Sequence, residues 1–529
     1  MLRIAIFLFA VLNIISKINA QSTTISRFYN IKNGNEFGQN IILKNESYFI
    51  HNAAIIDPGT GNSKISTFFT IVDKNFNVTN PITFINESKG AEKRSLQMVD
   101  DTIYYFGFNE YVLPNYWNIL KTNINGDSIE LLTYNDFPDI RMAPVSIQIK
   151  DDFLYLGGRT LEYFVNKGEI TILKIDKKGN KIKEERFYDI ADPQKVNYLS
   201  DFIKTYDGNF ILAFTTILEG TTKQAFIIKF DENLDTIWSK EFNISNQIFN
   251  NPDLTPTQDS GVIFTWNVYL NDIRDQFPDG GFELGIHPPT IYKIDKNGNT
   301  QWADTMWTYR PAYNKAAPLK NIKKLFTAKN GDIIGAGYYR DHQEKRDWAW
   351  LFRYNSSGKL LWEKIYEDKN FTSEDDYFSD IKEAENGDIV CVGEFWDIDG
   401  EWNNATYTWL LRVDSMGCFE PGCGVTDSIY LIQVTSDYVT STNEVISEFS
   451  YDNGIIIYPN PALDYIKVVL PNDRKIHKWE VLDLEGKQII TGNGENINKI
   501  DISTLKSGLY YLEVIDNKGR SVVGKFVVE

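Results

Sequence analysis

Cysteine, histidine and methionine are scarce in this chain of 529 residues, which contains three Cys, four His and five Met. Three Cys cannot form the disulfide framework that holds many small secreted proteins together. The His residues lack the close spacing of a zinc site, so no metal centre is predicted. They are His51, His287, His342 and His477.

Motifs of the common catalytic sites are also missing. The chain has no G-x-S-x-G nucleophile turn, no H-E-x-x-H zinc motif and no phosphate-binding loop. Its 72 acidic residues are too many for one pair to be singled out as glycosidase carboxylates. No catalytic residue and no cofactor is therefore predicted.

Positive charge is outnumbered in the chain, where 54 Lys and Arg face 72 Asp and Glu and the net charge is -18. A chain this acidic is repelled by nucleic acid, so we expect no DNA or RNA partner. The apolar run Ile4–Ile15 follows Arg3 and is too short to cross a bilayer comfortably. With Ala20 as the small residue before cleavage, it predicts a signal peptide over residues 1–20. An uncleaved anchor is the alternative.

Aromatic residues are abundant by contrast, at 14% of the chain, and they favour strands over helices. The clearest strand pattern runs from Ile322 to Tyr366, as four apolar runs separated by turn signals. Short connections between such runs are typical of an antiparallel meander of four strands.

The same unit recurs along the chain, roughly every 57 residues. Each copy has an Asp or Asn at the turn after its third strand. These anchors are Asp73, Asn123, Asp176, Asp231, Asp295, Asn355 and Asp414. Seven copies of a four-stranded unit predict an all-β, seven-bladed β-propeller over residues 21–425. Trp238, Trp302 and Trp362 recur at one position, and we expect them to pack between blades.

The last copy lacks a fourth strand, because the sequence breaks off into a turn after Asp414. The segment Ile25–Asn30 resembles the fourth strands of other copies. We therefore predict that this N-terminal strand completes the seventh blade and closes the ring, which removes two exposed sheet edges.

The long loops of the repeats fall on one face of the predicted ring, and rigidly held long loops commonly carry function. We predict a binding site for a glycan, peptide or protein on this face. The candidate ligand-binding residues are Trp266, Tyr269, Asp272, Arg274, His287, Tyr339, His342, Trp396 and Trp402. An alternative for the longest loop, Trp266–Pro289, is that it plugs the channel. The alternative function is a carbohydrate-active hydrolase or lyase with carboxylates at the channel mouth.

Two of the three Cys, Cys418 and Cys423, bracket a Phe-Glu-Pro-Gly turn, and we predict that they form a disulfide after export. Two free thiols are the alternative. Cys391 lies in an apolar strand and is predicted as a core residue. Residues 426–452 show no repeat and are predicted as a linker, with one further strand in Ser428–Val434.

Residues 453–529 have a different pattern, with short alternating strands that predict a small Ig-like β-sandwich. Motifs lie near its turns and at the C-terminus, with the residues Tyr458, Pro459, Asn460, Pro461, Gly486, Lys487, Gly508, Tyr510 and Lys525. Together these motifs resemble the type A C-terminal sorting domain of the bacterial type IX secretion system.

This resemblance implies passage through the periplasm and export across the outer membrane to the cell surface or the medium. The implied partners are the type IX translocon and its sortase. A generic adhesive Ig-like module is the alternative for this domain, and the whole chain is expected to be a monomer. The seven repeats resemble propeller repeats of secreted bacterial proteins, a likeness of fold that implies no activity.

Overall fold

The computed structural model describes most of residues 24–528. The residues that it does not describe within that span are 31–34, 45, 57–63, 86–87, 91–93, 110–116, 124–128, 135–141, 161–169, 188–195, 218–222, 244–252, 268–288, 307–318, 342–345, 370–374, 398–404, 421–422, 424–429, 441–446, 453–454, 459–461, 471–474, 485 and 495–498. The predicted signal peptide lies outside the described residues.

Every regular element in the described residues is a β-strand, which confirms the predicted all-β class. The N-terminal strand, β1, is Ile25–Asn30. The first sheet contains β2 (Asn35–Lys44), β3 (Ser47–Ile56), β4 (Lys64–Val72) and β5 (Val78–Ile85). The second contains β6 (Ser88–Gly90), β7 (Leu96–Val99), β8 (Thr102–Asn109), β9 (Trp117–Asn123) and β10 (Ile129–Tyr134), with β6 and β7 both paired to β8.

The next three sheets have four strands each. The third contains β11 (Met142–Lys150), β12 (Phe153–Thr160), β13 (Ile170–Asp176) and β14 (Lys181–Phe187). The fourth contains β15 (Val196–Lys204), β16 (Phe210–Ile217), β17 (Lys223–Phe230) and β18 (Thr236–Asn243). The fifth contains β19 (Leu254–Pro256), β20 (Val262–Asn267), β21 (Pro289–Ile294) and β22 (Thr300–Thr305).

Two further sheets complete the repeated region. The sixth contains β23 (Leu319–Thr327), β24 (Ile333–Asp341), β25 (Arg346–Tyr354) and β26 (Leu360–Asp368). The seventh contains β27 (Tyr377–Glu383), β28 (Ile389–Asp397) and β29 (Ala405–Val413). In these seven sheets the first strands β2, β7, β11, β15, β19, β23 and β27 contact one another in cyclic order, and β27 contacts β2.

The fourth strand of the seventh sheet comes from the N-terminal end of the chain. Strand β1 pairs antiparallel with β29, with Ile25 opposite Arg412 and Tyr29 opposite Thr408. Phe28 is buried and its ring lies 4.1 Å from that of Phe395. The predicted pairing of Ile25–Asn30 with the strand that ends near Asp414 is thus confirmed, and it joins the first and last sheets of the ring.

A belt of polar groups joins the first strands of neighbouring sheets. Asp201 accepts a hydrogen bond from the amide of Leu254 at 3.0 Å, and Asp253 accepts one from Leu325 at 2.7 Å. Asp380 accepts one from Ile41 at 3.0 Å across the closure. At other junctions, Asn40 Oδ1 accepts a hydrogen bond from the amide of Ser95 at 3.1 Å, and the Ser146 hydroxyl donates one to the carbonyl of Phe202 at 2.6 Å. The belt side chains Asn40, Ser146, Asp201, Lys324 and Asp380 directly follow irregularities in strand pairing.

The predicted turn anchors build one repeated turn. The Oδ1 atom accepts hydrogen bonds from the amides two and four residues later, as at Asp295 with Asn297 and Asn299, both 2.8 Å. This geometry occurs at Asp73, Asp176, Asp231, Asp295, Asn355 and Asp414. The turn after Asn123 lies outside the described residues.

The repeated tryptophans lie between neighbouring sheets, as predicted. Trp238 donates a hydrogen bond from Nε1 to the carbonyl of Lys296, 2.9 Å away in the turn of the next sheet. A Cβ at Gly298 would lie 3.2 Å from the Trp238 indole, and its φ of 85° favours glycine. Trp302 packs against Gly358, and Trp362 packs against Gly417, each in the turn of the next sheet.

A segment beyond the ring extends three neighbouring sheets, and we call it the strap. It contains β30 (Tyr430–Val434), β31 (Asp437–Thr440) and β32 (Ser447–Asp452). These strands pair in parallel with β26, β1 and β5 respectively, and so cross the sixth, seventh and first sheets in turn. The strand predicted within Ser428–Val434 is confirmed, but the segment predicted as a linker contributes three strands because open sheet edges favour pairing.

The C-terminal region forms two sheets around a separate core. Its strands are β33 (Ile455–Tyr458), β34 (Tyr465–Val469), β35 (Ile476–Leu482), β36 (Gln488–Asn493), β37 (Ile500–Asp501), β38 (Gly508–Asp516) and β39 (Ser521–Val528). One sheet continues from β32 in the order β33-β34-β37, and the other has the order β36-β35-β38-β39. Ile457, Val481 and Phe526 are fully buried in the shared core.

The cysteines are placed as follows. Cys418 and Cys423 form a disulfide, with their Cα atoms 5.6 Å apart. Cys391 is buried and unpaired with another cysteine.

In the part of the chain that is described, no helix has the length and apolarity needed to cross a bilayer.

Candidate functional site

A cluster of aromatic and ionisable side chains lies between the sixth and seventh sheets, and we call it the inter-sheet cluster. It consists of Lys323 on β23, Tyr338 on β24, Tyr377 on β27 and Glu394 and Trp396 on β28. Tyr338, Tyr377, Glu394 and Trp396 lie in the halves of their strands that lead into the long loops, whereas Lys323 is at the middle of β23. The cluster therefore extends from the middle of the first strands towards the long-loop side.

Strand register brings the cluster together. Tyr377 is directly opposite Glu394 in the antiparallel pair β27–β28, and the Tyr377 hydroxyl donates a hydrogen bond to Glu394 Oε1. The residue before Glu394 must be glycine, since a Cβ at Gly393 would lie 1.9 Å from the carbonyl oxygen of Tyr377. Gly337, the residue before Tyr338, likewise lies against a backbone carbonyl of the neighbouring strand. Tyr338 and Glu394 therefore occupy equivalent places in adjacent sheets.

Glu394 is the carboxyl group of this cluster, and its acidity is shifted towards neutral pH. Its side chain is almost completely buried, at 8% exposure. Burial raises the pKa of Glu394 to about 7, and the hydrogen bond from Tyr377 and the charge of Lys323 offset only part of this effect. At neutral pH the carboxyl group can therefore hold or release a proton, which is the property that acid–base chemistry requires.

Cations flank the two tyrosines. Lys323 Nζ lies 5.0 Å from the ring centroid of Tyr377 and 5.6 Å from that of Tyr338. On the other side, the Arg340 guanidinium lies 5.7 Å from the Tyr338 ring and pairs with Asp347 through two hydrogen bonds. Cation–π contacts of this kind hold the aromatic rings in fixed orientations.

The arrangement can bind a polar ligand by two complementary means. Tyr338, Tyr377 and Trp396 offer aromatic surface, and Trp396 is 37% exposed. Trp396 lies two residues after Glu394 on β28, so both side chains are on one face of that strand. Lys323 and Glu394 supply a hydrogen-bond donor and a titratable acceptor beside that surface.

The structure separates the residues predicted to bind a ligand. Trp396 belongs to the inter-sheet cluster. Trp266 is 1% exposed, with its ring 4.9 Å from that of Phe264, and Tyr339 is 9% exposed against Trp348. Their packing assigns Trp266 and Tyr339 to the hydrophobic core. Tyr269, Asp272, Arg274, His287, His342 and Trp402 lie outside the described residues.

Sequence reasoning missed Glu394, Tyr377, Tyr338 and Lys323. A signal for Glu394 was present, because it is the one carboxylate within the otherwise apolar run from Ile389 to Trp396. No sequence signal shows that Tyr377 and Lys323, from different repeats, meet beside it.

The described residues hold no group of three or more His, Cys, Asp or Glu side chains arranged to bind a metal ion.

The described sorting-motif residues occupy turns and strands of the C-terminal domain. Gly486 ends a turn that begins at Asp483, with a φ of 78°, and the Lys487 amide donates to Asp483 Oδ1 at 2.9 Å. Tyr510 donates from its hydroxyl to the carbonyl of Lys506 at 2.9 Å. Gly508 begins β38, and Lys525 is exposed on β39. Tyr458 ends β33, while Pro459, Asn460 and Pro461 lie outside the described residues.

These observations define an all-β protein with repeated four-stranded sheets and a C-terminal region that has its own hydrophobic core. Residues 456–529 match the family model of the secretion system C-terminal sorting domain, Por_Secre_tail. The predicted type IX sorting domain is thereby confirmed. It indicates export to the cell surface or secretion, and interaction with the type IX secretion machinery. No curated protein matches the chain.

Several solved structures resemble the chain at low identity. They include PorZ, a surface component of the type IX secretion system of Porphyromonas gingivalis, at 10% identity and a TM-score of 0.33, covering 95% of this chain and 70% of PorZ. The β-propeller domain of the trilobed protease from Pyrococcus furiosus is 10% identical, with a TM-score of 0.38, and covers 70% of this chain and 93% of that domain. An acylaminoacyl peptidase from Pyrococcus horikoshii is 10% identical, with a TM-score of 0.38, and covers 69% of this chain and 52% of its own length. At these TM-scores the likenesses transfer no function to the chain.

Proposed function

We propose that this protein is an exported seven-bladed β-propeller that binds a glycan on its long-loop face, with the inter-sheet cluster as the base of the binding site. In this proposal the propeller spans residues 21–425, with residues 1–20 as signal peptide. Residues 426–452 connect it to an Ig-like sorting domain over residues 453–529. The ring acts as a monomer and presents its ligand site to the exterior of the cell.

The observation that carries the proposal is the pairing of aromatic surface with a donor and a titratable carboxyl at one end of the channel. Sugars present both C–H faces, which pack on aromatic rings, and hydroxyl groups, which need donors and acceptors. Trp396 is exposed in the cluster, and Lys323 and Glu394 lie beside the Tyr377 ring or hydroxyl. Trp396 is exposed and Lys323, Tyr338 and Tyr377 are half-buried, which favours an open binding surface above the buried Glu394.

A second function, glycan hydrolysis, is favoured by one observation. The raised pKa of Glu394, about 7, is the property of a general acid in glycosidases. In this alternative Glu394 protonates the leaving oxygen, and a second carboxylate from the long-loop face acts on the opposite side of the sugar.

A glycan array probed with the mature full-length protein tests the proposal. We expect binding to a set of related oligosaccharides, and loss of that binding in Trp396→Ala and Tyr377→Ala. Tyr206→Ala is the matched control, because Tyr206 is an exposed aromatic residue at a short turn on the opposite face. Absence of binding to every glycan, or equal loss in the control, would refute the proposal.

The same glycans separate binding from hydrolysis. For a binding protein, incubation leaves each oligosaccharide intact, and Glu394→Gln changes affinity only. For a hydrolase, reducing ends accumulate with the wild-type protein, and Glu394→Gln retains affinity while turnover falls by at least about a hundredfold.

A further inference from the structure

A cavity opens at the other end of the channel, where the first strands run into short turns. Its volume is about 400 Å³, and its walls come from the first, second, fifth, sixth and seventh sheets, with Tyr206 of the fourth at the mouth. The inter-sheet cluster does not line it. The cavity is therefore distinct from the site proposed above, and either can exist without the other.

Buried ion pairs form the floor of the cavity. Arg94 reaches from the second sheet to Asp201 in the fourth, with Nε–Oδ1 and Nη2–Oδ2 distances of 3.1 and 2.9 Å. Lys382 pairs with Asp380 at 2.8 and 2.9 Å. Lys324 and Asp253 form a third pair, so the ion pairs contain three cations and three carboxylates. Glu383 adds a fourth carboxylate to the lining of the cavity.

The carboxylates of this floor have their acceptor atoms largely occupied by backbone amides. Asp380 accepts from Ile41 and Ile381, at 3.0 and 2.9 Å. Asp253 accepts from Leu325 at 2.7 Å, and Asp201 accepts from Leu254 and Phe202. The bonds from Ile41, Leu325 and Leu254 belong to the belt that joins the sheets, so these carboxylates stabilise the scaffold.

Lys324 differs from these carboxylates because, among the described residues, it makes a single and long hydrogen bond. Its side chain is 7% exposed and lines the cavity. It donates to Asp253 Oδ1 at 3.4 Å, which is long for a charged pair. Because an ammonium group has three N–H donors, Lys324 can also donate to an acceptor on a molecule in the cavity.

The walls above the floor combine polar and apolar side chains. Leu96, Met98, Pro256 and Phe326 supply apolar surface, Gln97 supplies a polar group, and Tyr206 is 62% exposed at the mouth. Apolar surface together with a few polar groups in a concave site is typical of small-molecule sites.

We propose that this cavity binds a small monocarboxylate, with the carboxylate accepting hydrogen bonds from Lys324 and an uncharged, partly apolar body against Leu96, Met98 and Phe326. Asp380 and Glu383 also line the cavity and repel additional negative charge. The site therefore favours one carboxylate over two, and a monocarboxylate over phosphate.

Calorimetric titration of the mature full-length protein tests this site with three probes and their neutral amides. The probes are acetate, benzoate and indole-3-acetate at millimolar concentration, against acetamide, benzamide and indole-3-acetamide. We expect at least one acid to bind at least tenfold more tightly than its amide. Binding of none of the three acids, or equal binding of acid and amide, would overturn the proposal.

Variants test where the acid binds. Lys324→Met should weaken the affinity for the tightest-binding acid at least tenfold, while Lys324→Arg should keep that affinity within threefold of the wild type. Lys359→Met removes the same charge from an exposed turn and should leave affinity within twofold. Met98→Trp narrows the cavity, keeps every ion pair and should abolish binding. If Lys324→Met and Met98→Trp both bind as the wild type does, the acid binds elsewhere and the assignment is wrong.

Discussion

Replacing Glu394 by glutamine should raise the free energy of unfolding above the wild-type value at alkaline pH and change it little at acid pH. The carboxyl is nearly buried, and burial raises its pKa from 4.5 to about 7. The glutamine side chain would stay neutral at every pH and could still accept the hydrogen bond from Tyr377. The substitution therefore removes the titration of this one group while it keeps shape and contact.

The sign and size follow from proton linkage. Because the native-state pKa lies above the unfolded value, the native state holds a proton between pH 4.5 and 7 that the unfolded state has released. The contribution of the Glu394 carboxyl to the free energy of unfolding is fully present below pH 4.5, and it is lost as the pH rises through 7. A shift of about 2.5 pH units corresponds to roughly 3 kcal/mol. Glu394→Gln should therefore gain about 3 kcal/mol at pH 8 and little at pH 4.5.

Denaturant unfolding at pH 4.5, 6, 7 and 8, followed by tryptophan fluorescence, measures this difference. Of the 12 Trp residues only Trp479 lies in the C-terminal domain, so the signal reports on the ring. Glu241→Gln is the control, because Glu241 is exposed on β18 and should show no pH-dependent difference. A Glu394→Gln difference that is the same at pH 4.5 and pH 8 would refute the reasoning.

Three further changes test other parts of the structure. Burial lowers the pKa of His51 from 6.5 to about 3. The free energy of unfolding of the wild type should therefore fall by about 1.4 kcal/mol per pH unit as the pH falls from 6.5 towards 3. In the same unfolding assay, His51→Phe should lose less over that range. Replacing Cys418 and Cys423 by serine should lower the unfolding free energy by about 2 kcal/mol, and reductant should reproduce this in the wild type but not in the variant. Val434→Asp places a charge at a fully buried position of the strap and should release β30, seen as new protease cleavage between residues 424 and 452, whereas Gln433→Asp at the adjacent exposed position should not.

The repeated scaffold was predictable because its signals are local. A turn anchored by Asp295 depends on the residues within four positions of it, and the pairing of Ile25–Asn30 with β29 could be predicted from a missing strand at one end and a spare one at the other. The strap could not be predicted in full. Its strands β31 and β32 pair with β1 and β5, hundreds of residues earlier, and their sequences carry no repeat.

The site was harder to predict than the scaffold, since it depends on contacts between repeats. Trp396 was predicted as a ligand-binding residue from its position before a long loop, and that role stays a prediction. Trp266 looked equivalent in sequence but turns into the core between Phe242 and Phe264. Lys323 and Lys324 are adjacent in sequence, yet one lies over Tyr377 in the cluster and the other lines the cavity, and only the packing of neighbouring sheets shows which surroundings each side chain has.

The proposal that the long-loop face binds a glycan is tested most directly by calorimetric titration of the mature protein with the best oligosaccharide from the array. We predict saturable binding at one site, at least tenfold weaker in Trp396→Ala and in Tyr377→Ala and unchanged within twofold in Tyr206→Ala. Affinity that is equal in the wild type and both cluster variants would contradict the proposal.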